Sequence, residues 1–335
     1  MSGEDFIITN ENMKRIAAIL TFAAMVLAWQ AEAQEKRMAV VELSAIYMRQ
    51  QPDYEAALET QELMGTVVEI CAEDRYWREI ISPQPYRAWT TAKGLVEMNA
   101  EELESYLKAD KLMYKGTFGH LYEEASEAAP VICDLVCGDL LRSELTDKGK
   151  IRSKRGWTEV MLPSGRKGYA RSSQLAIHKG FRNIAMGEGD GGSLSPEESE
   201  GVIRYAEMLM GSAYLWGGMS SKGTDCSGLV RLAYLMNGIL LPRNASQQLK
   251  CGEVVELDPK AAMEERIANL QRGDLIFFGT PASSPESLPR VTHIGIYLGD
   301  GMFIHSSQVV RRNSLLPGEE AYYENSQRLV AARRL

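Results

Sequence analysis

The sequence predicts an α+β fold in which two small all-β domains precede a mixed domain of helices and strands. Short strand-like runs between turn-forming residues fill the first half of the chain. A Gly-rich segment follows at 187–192, and after it a capped helix precedes several apolar strands. The change of pattern at the Gly-rich segment separates the all-β part from the mixed part.

The composition of the 335 residues is that of an ordinary globular protein. Hydrophobic residues make up 45% and charged residues 24%, which argues against a disordered chain. At roughly 150 residues per domain, the length predicts two or three domains. The formal net charge of −8 excludes a generally basic surface, so we expect no nucleic-acid partner.

The N-terminal segment has the pattern of a secretory signal peptide. Two basic residues precede an apolar run over 16–29, and an Ala-x-Ala sequence follows it. The run is shorter than the roughly 20 residues that a membrane span needs. We therefore predict a signal peptide over 1–33, with translation starting at Met1 or Met13, and an exported protein, periplasmic or extracellular, without a membrane span. A buried N-terminal helix is the alternative.

Export affects how the five cysteines are interpreted. Because five is an odd number, at least one thiol has no intramolecular disulfide partner. Cys133 and Cys137 lie four positions apart in a strand-like segment, which separates them by roughly 13 Å and excludes a bond between them. We expect both residues, and Cys71, to be small buried core residues. No Cys or His spacing suggests a zinc site.

Two β-rich segments, 34–99 and 130–180, share the same order of strand-like runs. In each, an apolar strand and a Gly-led strand precede a strand centred on a tryptophan, Trp77 or Trp157. The pattern suggests an internal repeat of about 50–60 residues. It resembles bacterial SH3-like modules, small barrels that often accompany cell-wall enzymes. We predict an SH3-like barrel in each segment and a helical spacer over 100–129.

The second half of the chain begins with a flexible linker and a capped helix. Residues 181–194 are predicted to be a Gly-rich linker. Ser195 and Glu198 have the spacing of a capping box, with a proline directly after the cap, so a helix should start here and run to about Met210. The domain that this helix opens, 195–335, carries the candidate chemistry.

Cys226 stands where a second helix is expected to begin. The apolar residues after it recur at helical spacing, and Gly238 ends the run. The unsatisfied N–H groups and the positive end of a helix favour a thiolate, which is the nucleophilic form of cysteine. A cysteine at a helix start without a base nearby is usually inert, so the interpretation depends on the histidines.

His293 and His305 lie on two predicted strands that a hairpin turn at 299–301 connects. A cysteine at a helix end, a histidine as base and a second polar group that orients the base make up the arrangement of a cysteine peptidase. Either histidine alone could be a core residue, but two of the chain's four histidines on paired strands favour the catalytic interpretation. Asp274 is better explained as a turn residue bonded to its own backbone.

Six motifs follow one another within residues 195–330. They are Tyr214-x-Trp216-Gly217-Gly218, Asp225-Cys226-Ser227-Gly228-Leu229-Val230, Leu241-Pro242-Arg243-x-Ala245-Ser246-Gln247-Gln248, Gly273-Asp274-Leu275-Ile276-Phe277-Phe278, His293-Ile294-Gly295-Ile296-Tyr297 and His305-Ser306. Together they resemble the NlpC-type bacterial cell-wall cysteine peptidases. The resemblance implies a papain-like peptidase domain in which Cys226 is the nucleophile, His293 the general base and His305 the residue that orients the base.

With the export signal and the two β modules, the chain is similar to γ-D-glutamyl-L-diamino acid endopeptidases. These enzymes cleave the bond between D-Glu and diaminopimelate or lysine in muropeptides and prefer a free N-terminal L-Ala. The resemblance implies that Asp225 binds the L-Ala amine and that Ser227 and Ser246 hold the D-Glu carboxylate. Trp216 and Arg243, which belong to the same motifs, are further candidate substrate-binding residues.

The first β module is expected to form one wall of the cleft. Tyr86 matches the tyrosine that the family places there, and either Glu55 or Glu59 is its acidic companion. Tyr214 is a candidate second donor to the oxyanion, beside the backbone N–H of Cys226. The expected partners are peptidoglycan stem peptides or muropeptides, the expected state is a monomer, and no metal or organic cofactor is implied.

Two other functions fit the same pattern. One is a peptidoglycan-binding protein whose catalytic centre has decayed, and the other is a cell-wall amidase or acyltransferase of the same fold. The sequence does not decide between diaminopimelate and lysine as the leaving residue, or between released fragments and intact wall as the substrate.

Overall fold

A computed structural model describes four parts of the chain, residues 36–83, 86–184, 194–284 and 287–335. The predicted signal peptide lies outside these residues, as does most of the predicted Gly-rich linker. No helix in the described ranges combines the length and the apolar character that a membrane crossing requires. Residues Met38–Leu335 form one compact unit.

Seven strands form the first sheet. They are β1 Arg37–Val41, β2 Ala45–Arg49, β3 Leu58–Leu63, β4 Val67–Asp74, β5 Trp77–Ser82, β6 Tyr86–Thr91 and β7 Leu95–Met98. Their order across the sheet is β3-β2-β6-β5-β4-β1-β7. One face buries a core that includes Val41, Ile46, Met48 and Ile80, as is usual for a sheet with one solvated face.

A second sheet repeats the first. Its strands are β8 Lys111–Tyr114, β9 Phe118–Tyr122, β10 Val131–Val136, β11 Leu140–Arg142, β12 Trp157–Met161, β13 Lys167–Arg171 and β14 Leu175–His178. Their order, β10-β9-β13-β12-β11-β8-β14, is that of the first sheet with every strand seven places later. The predicted repeat is therefore present; its units, Arg37–Met98 and Lys111–His178, are somewhat longer than the predicted length of about 50–60 residues, and the equivalent Trp77 and Trp157 lie 80 residues apart.

A short helix, α1 Ala100–Lys108, connects the two sheets. Asn99 caps it by accepting a hydrogen bond from the backbone N–H of Glu102 at 3.0 Å. The prediction of a helical spacer over 100–129 is wrong beyond this helix, because β8 and β9 lie in the second half of that range. The second sheet thus starts at Lys111 and not at residue 130.

The sequence analysis did not predict the strand β8, and the reason is physical. It has only four residues, and three consecutive side chains in it, Leu112, Met113 and Tyr114, are buried, so no alternation marks it as a strand. In both sheets the order of the described strands runs from one edge strand to another. The SH3-like barrels accordingly stay a prediction.

The rest of the described chain is a mixed α+β domain. Its helices are α2 Pro196–Met208, α3 Cys226–Leu235, α4 Ala245–Gln248 and α5 Met263–Arg266. Its strands are β15 Arg182–Asn183, β16 Met219–Ser220, β17 Gly223–Thr224, β18 Ile239–Leu240, β19 Glu253–Val255, β20 Leu275–Thr280, β21 Arg290–Gly299, β22 Met302–Ser307, β23 Val309–Ser314 and β24 Leu329–Arg334. Six of these strands form one sheet in the order β19-β24-β20-β21-β22-β23.

Helices α2 and α3 pack on this sheet through a shared core. The predicted capping box between Ser195 and Glu198 is confirmed, and α2 ends at Met208, two residues before the predicted end. Apolar side chains of both helices, among them Val202, Ala206, Leu229 and Ala233, share this core with Ile294 of the sheet. Full burial of a Val, Leu or Ile side chain stabilises the arrangement by about 1.5–3 kcal/mol.

The hairpin between β21 and β22 brings the two histidines to one face of the sheet. Its turn residues, Gly299, Asp300 and Gly301, all have positive φ angles, of 94°, 51° and 75°. Ile296 pairs with Ile304, which puts position 295 opposite His305 and His293 two residues away on the same face. The predicted hairpin is confirmed.

Two buried polar residues of β3 attach the first sheet to the mixed domain. The side-chain oxygen of Gln61 accepts hydrogen bonds from the backbone of Met219 at 2.8 Å and the hydroxyl of Ser220 at 3.0 Å. Thr60 accepts one from Arg243 at 2.8 Å. Because these groups are buried, their bonds are costly to break and hold the first sheet beside the loop that precedes α3.

The cysteines, all of which lie in the described ranges, form no disulfide bond. Cys137 is buried and Cys133 half-buried, which is compatible with their predicted place in the core. The prediction is wrong for Cys71, which is exposed because its alternation on β4 directs it away from the core.

Candidate functional site

Cys226 is the first residue of α3, and Asp225 is the helix N-cap. The Asp225 carboxylate accepts a hydrogen bond from the backbone N–H of Gly228 at 2.7 Å, which satisfies one of the helix's initial donors. The predicted helix start is confirmed. The N–H groups of the first turn and the positive end of the helix surround the sulfur, where they stabilise negative charge.

The Asp225 carboxylate is also half of a buried ion pair. Arg243, with a side chain 1% exposed, donates to both carboxylate oxygens at 3.0 and 2.6 Å. The backbone of Gly217 and the hydroxyl of Ser227 donate to the same carboxylate at 3.0 and 3.1 Å. Asp225 therefore fixes the loop and the helix start around Cys226. Its predicted contact with a substrate amine would come in addition to these bonds.

His293 and His305 are hydrogen-bonded to each other, with 2.6 Å between Nε2 of His293 and Nδ1 of His305. The other nitrogen of His305, Nε2, lies 2.9 Å from Oδ1 of Asn313 on β23. The amide nitrogen of Asn313 donates to the carbonyl of Ala321 at 2.7 Å. Four groups thus form one continuous chain of hydrogen bonds.

This chain of bonds assigns the histidine tautomers. The Ala321 carbonyl only accepts, so Asn313 turns its NH2 toward it and its oxygen toward His305. The Nε2 atom of His305 then carries hydrogen, and its Nδ1 accepts from Nε2–H of His293. In neutral His293 the remaining nitrogen, Nδ1, is unprotonated and available as a base.

The sulfur of Cys226 meets the strand that carries His293. The backbone N–H of Ile294, the next residue along β21, hydrogen-bonds to the thiol and partly offsets the rise of its pKa. Cys226 also packs against the core that contains Ile294. The structure therefore brings the helix start and the histidine pair together, although 67 residues separate Cys226 from His293 in the sequence.

Burial keeps the resting groups uncharged. It raises the pKa of the Cys226 thiol to about 11, and the neighbouring Asp225 carboxylate adds to the rise. Burial, with the charge of Arg311, lowers the pKa of His293 to about 3 and that of His305 to about 4. At neutral pH the unliganded site therefore holds a thiol and two neutral imidazoles.

Aromatic side chains enclose the histidine pair. The ring of Tyr323 lies 6.1 Å from that of His293 and 5.1 Å from that of His305, between ring centroids. Phe278 and Phe303 pack around the same rings. These apolar surfaces exclude water from the imidazoles and hold their orientation. The sequence analysis named none of these three aromatic residues as part of the site.

The first sheet contributes a tyrosine and a glutamate. The hydroxyl of Tyr86 donates to Glu59 at 2.6 Å, and burial together with this carboxylate raises the pKa of Tyr86 to about 12. Glu55 instead lies in a surface turn, where its backbone N–H bonds to Asp53. The geometry thus favours Glu59 over Glu55 as the companion of Tyr86.

The Trp-Gly-Gly sequence adjoins this wall. Gly217 has a φ of 75°, and a side chain there would meet the backbone of Leu58 and Glu59 at 2.9 and 3.0 Å. Only glycine therefore permits this close contact between the first sheet and the loop. Trp216 is 69% exposed beside it. Near the thiol, burial raises the pKa of Tyr214 to about 12, with Cys226 the next contributor.

The remaining predicted residues differ in their burial and in their hydrogen bonds. The hydroxyl of Ser227 is buried and accepts a hydrogen bond from Arg243 at 3.0 Å, while Ser246 on α4 is exposed. Asp274 accepts from the backbone of Gln271 at 2.7 Å and pairs with Arg334 at 2.7 Å, so the structural interpretation of this aspartate is confirmed.

The cysteine on a helix start and the histidine pair on an antiparallel sheet match the arrangement predicted for a papain-like cysteine peptidase domain. Residues 211–333 match the NlpC/P60 family. A solved NlpC/P60 family protein from Bacillus cereus shares the fold, with a TM-score of 0.67 at 22% identity, over 89% of this chain and 99% of its own.

Longer relatives are similar to most of the chain. A γ-D-glutamyl-L-lysine dipeptidyl-peptidase of Bacillus cereus is 28% identical over 78% of this chain and 70% of its own length. One with the same name from Bacillus subtilis is 26% identical over 83% and 81%. Dipeptidyl-peptidase 6 of Lysinibacillus sphaericus is 29% identical over 77% and 83%.

Proposed function

We propose that the protein is an exported cysteine endopeptidase that hydrolyses the γ-D-glutamyl–diamino acid bond of peptidoglycan stem peptides carrying a free N-terminal L-Ala. The observation that carries the proposal is the hydrogen-bonded pair of His293 and His305 beside the helix start that bears Cys226. The names of the relatives support the choice of bond. An intact set of reactive groups favours an enzyme over a decayed binding protein.

In the acylation step, Cys226 attacks the γ-carbonyl of D-Glu. Because the resting thiol is protonated, Nδ1 of His293 takes its proton as the S–C bond forms. The imidazolium then gives this proton to the leaving amine as the C–N bond breaks. His305 stabilises the positive charge by accepting from Nε2–H of His293, and Asn313 keeps His305 in the tautomer that accepts.

In the deacylation step, water replaces the leaving amine. His293, now neutral, takes a proton from the water as it attacks the thioester, and the thiolate leaves and is reprotonated. The products are L-Ala-D-Glu and the peptide that begins with the diamino acid. The backbone N–H of Cys226 and the hydroxyl of Tyr214 are the proposed donors to the oxyanion of each tetrahedral intermediate.

Recognition of the N-terminal dipeptide is assigned to the opposite wall. Glu59, held by Tyr86, offers a carboxylate to the L-Ala ammonium, with Asp225 as a second acceptor. Ser227 and Ser246 are proposed to hold the D-Glu carboxylate. Trp216 would cover the dipeptide from the exposed side. We infer that the first sheet limits the space beyond L-Ala, which would favour released stem peptides with a free amine.

The test uses the purified mature chain with L-Ala-γ-D-Glu-diaminopimelate and mass spectrometry of the products. We expect release of L-Ala-D-Glu, with none from Cys226→Ala. N-acetylation of L-Ala should lower kcat/KM at least tenfold, the contribution of about one charge-assisted contact. Turnover by Cys226→Ala would contradict the mechanism, equal rates on the blocked peptide would contradict the recognition, and binding without turnover would support the decayed binding protein.

A further inference from the structure

One arginine flanks the histidine pair on the face of the sheet that carries it, and a second bonds to the strand of His293. Arg311 on β23 is the cross-strand partner of His305 on β22. Such partners project side by side from the same face, about 5 Å apart at their Cβ atoms. Arg328 donates to the hydroxyl of Thr292, the residue before His293, and to the carbonyl of Gly279, both at 3.4 Å.

Neither arginine pairs with a carboxylate of the described residues, whereas several nearby arginines do. Arg312, the next residue along β23, pairs with Glu207 at 2.5 Å, and Arg334 pairs with Asp274. The Nε atom of Arg311 is buried and has no hydrogen-bond partner. A buried donor left unsatisfied normally costs about 1–3 kcal/mol, so this arrangement needs an explanation.

Arg311 is also unfavourable for the histidines themselves. The positive charge of Arg311 lowers the pKa of both His293 and His305, although His293 must become an imidazolium during the reaction. In a chain with a net charge of −8, a neighbouring acid could have neutralised this charge. Both costs disappear when an anionic group of a ligand occupies the space beside Arg311.

The position of Arg311 relative to His293 indicates which part of the substrate supplies the anion. His293 gives its proton to the leaving amine, so the leaving residue lies against this histidine. The first-sheet wall, with Glu59 and Tyr86, is assigned to the other end of the substrate. The ring of Tyr323 lies near both histidines, and the positive charges of Arg311 and Arg328 both act to lower the pKa of this tyrosine against the rise that burial causes.

We propose that Arg311 and Arg328 form a subsite for a carboxylate of the leaving residue, an inference that rests on the proposed function. Guanidinium groups bind carboxylates through paired, charge-assisted hydrogen bonds. The carboxylate has two possible sources in stem peptides. One is the α-carboxylate of a C-terminal diamino acid, and the other is the distal carboxylate of diaminopimelate, which lysine lacks. Lysine's distal ammonium would be repelled by this subsite.

The test compares leaving residues in matched tripeptides L-Ala-γ-D-Glu-X. X is L-lysine, L-lysine amide, meso-diaminopimelate, its α-amide or its distal amide. The enzymes are the native chain, Arg311→Gln, Arg328→Gln and, as a control, Arg312→Gln, which lies one residue away on the opposite face and pairs with Glu207. The readout is the ratio of kcat/KM for each acid to that for its amide, because any change in the pKa of His293 cancels in it.

We expect the native chain to prefer at least one acid over its amide by about tenfold or more, and each subsite variant to lose about tenfold of that preference. The control should keep it. The amidation that lowers kcat/KM identifies the carboxylate that occupies the subsite, either the α-carboxylate or the distal one. Equal preference in the native chain and in Arg311→Gln would overturn the subsite.

Binding separates this inference from the proposed function. Calorimetry with Cys226→Ala, alone and combined with Arg311→Gln or Arg312→Gln, measures the same acid-to-amide ratio without turnover. A preference lost only with Arg311→Gln supports the subsite even if the native chain cleaves none of the peptides. No difference in affinity between acid and amide would contradict the subsite even if cleavage is rapid.

Discussion

Asn313→Ala tests whether the chain of hydrogen bonds behind His293 positions the base. The substitution removes the acceptor 2.9 Å from Nε2 of His305 and the donor 2.7 Å from the Ala321 carbonyl. Because His305 is 0% exposed, its N–H loses its partner without gaining water, at a cost of about 1–3 kcal/mol. The tautomer of His305 that accepts from His293 is then no longer favoured.

We expect kcat to fall about 10- to 100-fold, equivalent to about 1.4–2.7 kcal/mol in the barrier, with KM nearly unchanged. Asn237→Ala is the control, since Asn237 also donates its amide N–H to a backbone carbonyl, that of Ala233 at 2.9 Å, but away from the site. In urea, Asn313→Ala should lose about 1–3 kcal/mol of unfolding free energy and Asn237→Ala about 1 kcal/mol. Equal kcat values in the two variants would refute the positioning role. Partial recovery of kcat in Asn313→Asp would support it, and the acid limb of the kcat–pH profile of this variant should lie at higher pH.

The remaining predictions concern charge. Alkylation of Cys226 by iodoacetamide in the unliganded chain should increase with pH above neutrality, because burial raises the pKa of the thiol to about 11, and a thiolate plateau below pH 6 would contradict this. The buried His293 has a pKa of about 3, below the ordinary 6.5, so the unfolded chain binds the extra proton. Unfolding free energy should therefore be lost as pH falls from about 6.5 toward 4, and less of it in His293→Gln; the same loss in both chains would count against this. Arg243→Met leaves the buried Asp225 carboxylate unpaired and should lower the unfolding free energy by about 3–5 kcal/mol in urea titrations, whereas a loss under about 1 kcal/mol would show that the pair is not buried in solution.

Features encoded by neighbouring residues were predictable from the sequence. The capping box of Ser195 and Glu198, the helix start at Cys226 and the hairpin between the two histidines each depend on a few adjacent residues, and each is confirmed. The approach of Cys226 to the strand of His293 was inferred through the logic of a catalytic triad and through the family resemblance. The spacing of residues along the sequence does not give the distance between a helix and a strand in the folded protein.

Features that depend on strand pairing were not predictable. Asn313 joins the site because β23 lies next to β22, and nothing in its local sequence marks it as a partner of His305. Tyr323 comes from a segment without regular structure. The strand β8 lacks alternation because three successive side chains are buried between sheet and neighbouring elements. In the same way, Glu59 could be preferred over Glu55 only once the position of Tyr86 was known.

Trapping the acyl-enzyme with hydroxylamine tests the central claim most directly, that Cys226 and the histidine pair form one hydrolytic centre. If a thioester on Cys226 is the intermediate, hydroxylamine competes with water and yields L-Ala-γ-D-Glu hydroxamate from the native chain. Cys226→Ala and His293→Gln should form none. Continued hydrolysis by the native chain without any hydroxamate, or hydroxamate formation by Cys226→Ala, would contradict the claim.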